Sequence, residues 1–407
     1  MTATDTLYFN PFDPEVRAHP YDHYRELRAQ GPVHRNPLGM VVLTRYDDVF
    51  RALRDHRLSR EVDKRAKVAR FSVDADQLRL SPMRDYSLLN LDPPDHTRLR
   101  RLAAQAFTPK AIAARRPHIE AVTAGLLDAM AARAADDETV DLVAGLAFPL
   151  PFVVISEMLG MPMEDSDRIR SWSHAMTRTL EPMVTPEEMA AGNVAVNSMA
   201  AYVRDVIDDR RTHLGTDVLS ALIVAEEAGD KLTTPELIAT VMLLYVAGHE
   251  TTVNLIGNGT LALLRHPDQL AAWRSDPGLA QTAVEELLRY DGPVQFTARV
   301  VLEPMEIVGE AVEEGDVILP LVGSANHDPD RYTDADALHI DRAEAASHIA
   351  FGGGIHYCLG AALARAEAQV AIGALLARFP RIELAADPEW SDRITLRGLN
   401  SLRLHFS

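Results

Sequence analysis

About thirty residues, from Thr234 to Leu264, read as one unbroken helix. Thr234 suits the N-cap, Pro235 the first helical position and Glu236 the positive end of the dipole, and Pro267 ends the run. At 1.5 Å per residue such a helix is roughly 45 Å long, enough to cross a whole domain. Its residues from Leu237 to Ala247 are apolar on most sides, so it must be buried with the rest of the chain wrapped around it. The middle departs from that pattern, reading Ala247-Gly248-His249-Glu250-Thr251-Thr252. A mid-helix Gly costs about 1 kcal/mol against Ala, and a buried carboxylate costs more unless paired or hydrated. A helix that is locally wrong for stability at one place marks a candidate functional site.

Short β signals flank the helical middle of the chain. Pro32 to Tyr46 reads as two strands around Asn36-Pro37-Leu38-Gly39, and residues 305–320 as a β region turning at Glu313-Glu314-Gly315-Asp316. At the end, Leu402, Leu404 and Phe406 alternate with Arg403 and His405 as a half-buried strand does. These distant pieces are predicted to meet in one small sheet region. The fold class is therefore mainly α with a small β region, one folding unit spanning 1–407 with an α-rich lobe and a β-rich lobe built from both chain ends.

Several function classes are excluded early. A net charge of -18 removes a domain-wide electrostatic case for nucleic acid and reads as solubility. The single cysteine forbids an intrachain disulfide and fits a reducing cytoplasm. Residues 1–10 hold no basic stretch followed by an apolar one, so no secretory leader is expected. Leu142 to Gly160 is the most apolar long stretch, but Pro149, Pro151 and Glu157 make it a pair of buried helical pieces and not a membrane anchor.

The lone cysteine stands at the end of Phe351-Gly352-Gly353-Gly354-Ile355-His356-Tyr357-Cys358-Leu359-Gly360, and a helical run, Ala361 to Glu367, follows. A helix N-terminus and the N–H groups of a glycine loop both favour a thiolate. Adjacent glycines let the backbone approach something large and flat. Taken alone, a buried inert thiol is the commoner fate of such a residue, and a nucleophile beside a His is another reading. Zinc is disfavoured because no second Cys or His sits at ligand spacing.

The segment resembles the heme-ligand loop of the cytochrome P-450 family, Phe-Gly-x-Gly-x-His-x-Cys-x-Gly, a pattern whose chance match in such a chain is roughly on the order of one in 10^5. The resemblance extends over essentially the whole chain. It implies the family's mostly α fold, heme b as cofactor with O2 as co-substrate, and Cys358 as the iron's thiolate ligand, which pushes electron density toward O–O cleavage. Phe351, Gly352, Ala247 and Gly248 would border the heme. The odd spot in the long helix resembles the oxygen-activation segment, in which Thr251 offers a hydroxyl, Glu250 relays protons from solvent, and small Ala247 and Gly248 leave room. The plainer alternative is that Glu250 pairs with an Arg and Thr251 bonds the preceding turn. Glu285-Glu286-Leu287-Leu288-Arg289 resembles the structural Glu-x-x-Arg element, with Glu286 and Arg289 on one helical face and a partner expected near Asp341-Arg342. His96, Arg100, Arg299 and His356 match the groups that hold the heme propionates, for which Arg is well shaped.

Family position also suggests Leu88, Leu89, Leu243, Val246, Ala247, Val294, Phe296, Thr297 and Leu399 as an apolar substrate pocket. Arg98 and Arg101, beside Arg115 and Arg116, resemble a docking patch for an acidic ferredoxin on the thiolate side. The implied activity is oxygen insertion into a bulky apolar small molecule by a monomer. Electrons would come from NAD(P)H through a separate ferredoxin reductase and ferredoxin. A peroxide-driven peroxygenase and a non-catalytic heme sensor are the alternatives.

Overall fold

The computed structural model describes residues 7–11, 13–61, 65–67, 82–135, 139–181, 184–227 and 232–406. Residues 1–6, part of the segment on which the absence of a leader was read, lie outside them. The predicted long helix spans Thr234–Arg265. Its N-cap is Thr233, one residue earlier than expected. The reason is a capping box: the Thr233 hydroxyl accepts from the Glu236 N–H, and the Glu236 carboxylate accepts from the Thr233 N–H at 2.8 Å. That reciprocal pairing needs Glu at the third helical position, which fixes the cap at 233. His266, before Pro267, closes the other end.

Three helices, Pro149–Leu159, Ala280–Asp291 and Ala361–Arg378, pack against the long one, and their apolar faces form the main core with it. Close approach is built into the sequence. A Cβ at Gly248 would lie 2.8 Å from Ile155 Cγ1, and one at Gly259 2.9 Å from Leu287 Cδ1. Gly248 is thus required by helix packing as well as by room at the site. The apolar stretch 142–160 forms a π-turn, Val143–Ala147, leading into the helix Pro149–Leu159, which Gly160 ends in a left-handed conformation (φ 66°). Among the described residues no helix is long and apolar enough to cross a membrane.

The β pieces do not share one region, which corrects the expectation from sequence. β1 (Val33–Arg35) and β2 (Val41–Leu43) join β3 (Leu58–Ser59), β5 (Arg299–Val301) and β8 (Val317–Pro320) in a five-stranded sheet ordered β1-β2-β8-β5-β3. β2 and β8 run parallel. β6 (Met305–Ile307) and β7 (Glu310–Val312) form a separate hairpin. The C-terminal strand β12 (Arg403–Phe406) lies between β4 (Val140–Asp141) and β9 (Ile382–Leu384), and β10 (Glu389–Trp390) pairs with β11 (Leu399–Ser401). Alternation told which residues form strands but carried no pairing information. Leu402, whose backbone carbonyl bonds Leu142, and Leu404 are fully buried in the main core, so the chain end is drawn to the helical lobe and away from β1 and β2.

Candidate active site

The Glu-x-x-Arg element sits behind the cysteine loop. Glu286 and Arg289 are completely buried. Arg289 donates Nε and Nη2 to the two Glu286 oxygens at 2.7 Å each. Arg342 Nε reaches the same carboxylate at 3.0 and 3.1 Å, and the His339 N–H adds a bond at 3.0 Å. Both guanidiniums also donate to backbone carbonyls between residues 326 and 337. This cluster therefore pins the irregular segment that leads into the cysteine loop.

Cys358 stands just before the helix Ala361–Arg378, its N–H donating to the Phe351 carbonyl at 2.9 Å. Burial pushes its thiol up, while the Gly360 N–H and then Arg100 and Arg365 pull it down. Among the three loop glycines only Gly352, at φ 72°, lines the cavity. Gly353 and Gly354 instead meet residues 53 and 54, with a Cβ at Gly354 only 2.7 Å from the Leu53 carbonyl. Most of the glycine run thus serves chain-to-chain packing.

Cys358 opens onto a cavity of about 300 Å³ between the loop and the long helix. Leu243, Ala247, Gly248 and Thr251 of the helix line it, as do Leu88, Leu89, Val294, Thr297 and Phe351. Val246, Phe296 and Leu399, expected there, do not. Val246 lies off the cavity-facing stripe of the helix and is buried in the main core. Phe296 is buried in a separate apolar cluster with Tyr24 and Leu27 and meets the Phe9 ring edge-on at 5.5 Å. Leu399 packs toward Gly257, further along the same helix.

One rim of the cavity is cationic. His96, Arg100, Arg299 and His356 all line it, together with Arg60, which sequence reasoning missed because it follows β3 in an irregular segment without a motif. Arg299 and Arg60 share the Thr297 hydroxyl and the Ala298 carbonyl as acceptors. The His96 and His356 rings lie 4.3 Å apart. Neither His96 nitrogen, nor His356 Nε2, has a hydrogen-bond partner although all three are buried. Burial, then Arg100, lowers His96 to about 4; burial, then His96 and nearby arginines, lowers His356 to about 2; and burial, then Arg60, lowers Arg299. No carboxylate among the described residues lines this cavity. Buried histidine nitrogens without partners, beside arginines set close to one another, are chemically suited to an anion. Two propionates on a flat macrocycle whose metal meets Cys358 fit that arrangement.

The segment expected to activate oxygen, 247–252, shows the plainer contacts. Thr251 Oγ1 lines the cavity but donates to the Ala247 carbonyl at 3.1 Å. Glu250 is turned away from the cavity, 3.5 Å from Arg393 and 3.9 Å from His249 Nε2. Burial raises the Glu250 carboxyl and Arg393 opposes it. Arg393, another residue without a sequence signal, also donates to Thr177 Oγ1 at 2.8 Å and the His174 carbonyl at 3.0 Å. In the expected docking patch, Arg101 is exposed, whereas Arg98 is held by Glu236 and Asp95, and Arg116 by Glu120 and Gln369.

A lone cysteine at a helix start, facing an apolar slot with a cationic rim, is the arrangement expected of a heme-thiolate protein. The family model for Cytochrome P-450 matches residues 9–276 and 274–393. The cytochrome P-450 monooxygenase PikC of Streptomyces venezuelae is 42% identical over 96% of this chain and 92% of its own length. The polyketide biosynthesis cytochrome P-450 PksS of Bacillus subtilis is 40% identical over 99% of this chain and all of its own. The crystal structure of P-450 BioI with an acyl-carrier protein bearing hexadec-9Z-enoic acid superposes at a TM-score of 0.89, with 36% identity, covering 97% of this chain and 99% of that one. The chain belongs to the cytochrome P-450 family and is a bacterial-type monooxygenase that uses heme iron and O2.

Proposed function

We propose that this monooxygenase inserts one oxygen atom from O2 into a bulky macrolide, polyketide or steroid-like molecule by hydroxylation or epoxidation. Heme b would be held by Cys358 at the iron and by His96, Arg100, Arg299 and His356 at the propionates, with Arg60 beside them. Bound heme supplies the iron that activates oxygen; the chain's own groups orient the substrate and handle the protons. The single observation that carries this reading is the cavity itself: Cys358 and the orphaned histidines share it with an apolar wall of Leu88, Leu89, Leu243 and Val294. That wall offers burial and little hydrogen-bonding instruction, which suits a large apolar substrate.

Thr251 and Thr252 both line the cavity; Thr252 is engaged by the Gly248 carbonyl and by Glu367, whereas Thr251 Oγ1 is bonded to the Ala247 carbonyl, a bond that a small rotation releases. Glu250 reaches it only by leaving Arg393, so the ion pair controls when the acid is available. Electrons come from NAD(P)H through a ferredoxin reductase and a ferredoxin that docks on the thiolate side near Arg101. The protein works as one cytochrome P-450 domain, residues 1–407, as a monomer in the cytoplasm. Optical titration with macrolides, polyketides and steroids tests the reading, because a substrate that displaces iron-bound water shifts the Soret band toward high spin. A library in which only small polar acids give that shift would overturn the substrate class.

One observation favours a peroxide-driven reading. Glu250 is paired with Arg393 and lies off the cavity wall, and peroxide brings its own protons and electrons. Product formed with hydrogen peroxide at a rate equal to that with reductase, ferredoxin and NAD(P)H would favour it.

A further inference from the structure

Behind the cysteine loop lies a charged chain with no part in the reading above. Glu285, next to Glu286, is buried. Arg365, on the first turns of the helix Ala361–Arg378, grips it with two bonds, Nε to Oε1 at 2.5 Å and Nη2 to Oε2 at 2.9 Å. His348 Nε2 meets Oε2 at 3.1 Å. Its Nδ1 accepts the Ala350 N–H at 3.1 Å, so the ring proton sits on Nε2 and is donated to Glu285. Burial works to raise the Glu285 carboxyl, but the bonds from His348 and Arg365 outweigh it and hold it down to about 2. The group is a carboxylate, and Arg365 is its charged partner.

The same guanidinium faces the cysteine loop on its other side. Its Cζ lies 4.5 Å from the centre of the Phe351 ring, and Nη1 donates to Tyr357 Oη at 3.3 Å. Phe351 holds the Cys358 N–H through its carbonyl, and Tyr357 is the residue before the cysteine. Arg365 is thus a fixed positive charge against the loop that carries the sulfur, with its counter-ion on the far side. Arg100 is the other cation acting on Cys358, but it stands at the rim where propionates would neutralise it.

We propose that Arg365 and Glu285 are a positioning pair that sets the reduction potential of the iron bound by Cys358. Reduction adds one negative charge to the site, so the Arg365 cation favours the reduced state and the Glu285 anion opposes it. The proposal rests on Cys358 being the iron ligand.

The test is dye-mediated spectroelectrochemistry of the heme-loaded protein, with the carbon monoxide difference spectrum of each variant recorded first. Glu285→Gln leaves Arg365 unopposed and is expected to raise the potential. Arg365→Gln is expected to lower it, each by about a tenfold change in the reduced-to-oxidised ratio at fixed poise, which is about 59 mV for a one-electron couple. Arg365→Lys keeps the charge and should stay near wild type. A merely structural pair would shift both variants in the same direction or neither, and either result overturns the proposal. If Arg365→Gln does not take up heme, a Glu285→Gln potential at or below wild type is sufficient to overturn it. A wild-type protein without the thiolate-type carbon monoxide band removes the ligand assignment instead, and the proposal with it.

Discussion

Replacing Glu286 by Gln removes one negative charge from a place where two positive ones depend on it. Glu286, Arg289 and Arg342 are at most 8% exposed. The carboxylate accepts two bonds from Arg289, contacts Arg342 through both oxygens and takes the His339 N–H. The remaining guanidinium donors go to carbonyls, which satisfy hydrogen bonds without cancelling charge. In Glu286→Gln the buried cluster goes from one net positive charge to two, and an amide NH2 faces guanidinium N–H groups. Removing one partner of a buried pair costs about 3–5 kcal/mol, roughly a fifth or more of a typical stability of about 5–15 kcal/mol. Urea unfolding followed by tryptophan fluorescence should show a loss in that range, with poor heme retention because the cysteine loop loses its anchor. The control is Asp22→Asn, which breaks an exposed pair with Arg25 and should cost less than about 1 kcal/mol. A Glu286→Gln loss as small as that of the control would refute the reasoning.

Thr251→Ala should keep consuming NAD(P)H while product falls, with peroxide appearing instead; the proton-dependent step should slow by roughly 10²-fold, and a variant with full coupling sinks the proton role. Burial holds His249 down to about 4, among Phe148, Phe152 and Tyr245. Between pH 6.5 and 4 the unfolded chain therefore binds more protons, so His249 makes stability fall as pH falls through that window. His249→Phe should flatten the slope there, and an unchanged slope by urea titration at several pH values would remove the assignment. Arg101→Glu should slow ferredoxin-supported turnover and weaken its salt dependence while leaving peroxide-supported turnover intact; equal loss in both assays would place Arg101 elsewhere in function.

Much of the site was legible because its signals are local. The cysteine loop, the Glu-x-x-Arg spacing and the irregular centre of the long helix each lie within ten residues, and the structure places Cys358, His96, Arg100, Arg299 and His356 around one cavity. The residues that escaped notice, Arg60, Arg365 and Arg393, act through partners at distances of 80 to 237 residues in sequence, Arg393 reaching Glu250 and Thr177 from the loop before β11. An isolated arginine carries no pattern that says what it will meet. The pocket residues 246, 296 and 399 failed for a related reason: neighbours of lining residues differ from them by a fraction of a turn or one strand step, which only packing resolves.

The sequence by itself determined the long buried helix, the mainly helical class and the glycine loop and helix start that flank the lone cysteine, because periodicity, caps and contiguous motifs are written in consecutive residues. Only the tertiary structure decided which strands pair, which glycines face the cavity and which face Leu53 and Ile155, and that Glu250 rests on Arg393. Those outcomes depend on which surfaces can be buried together and on which charge lies within reach of another, and both are properties of the packed chain.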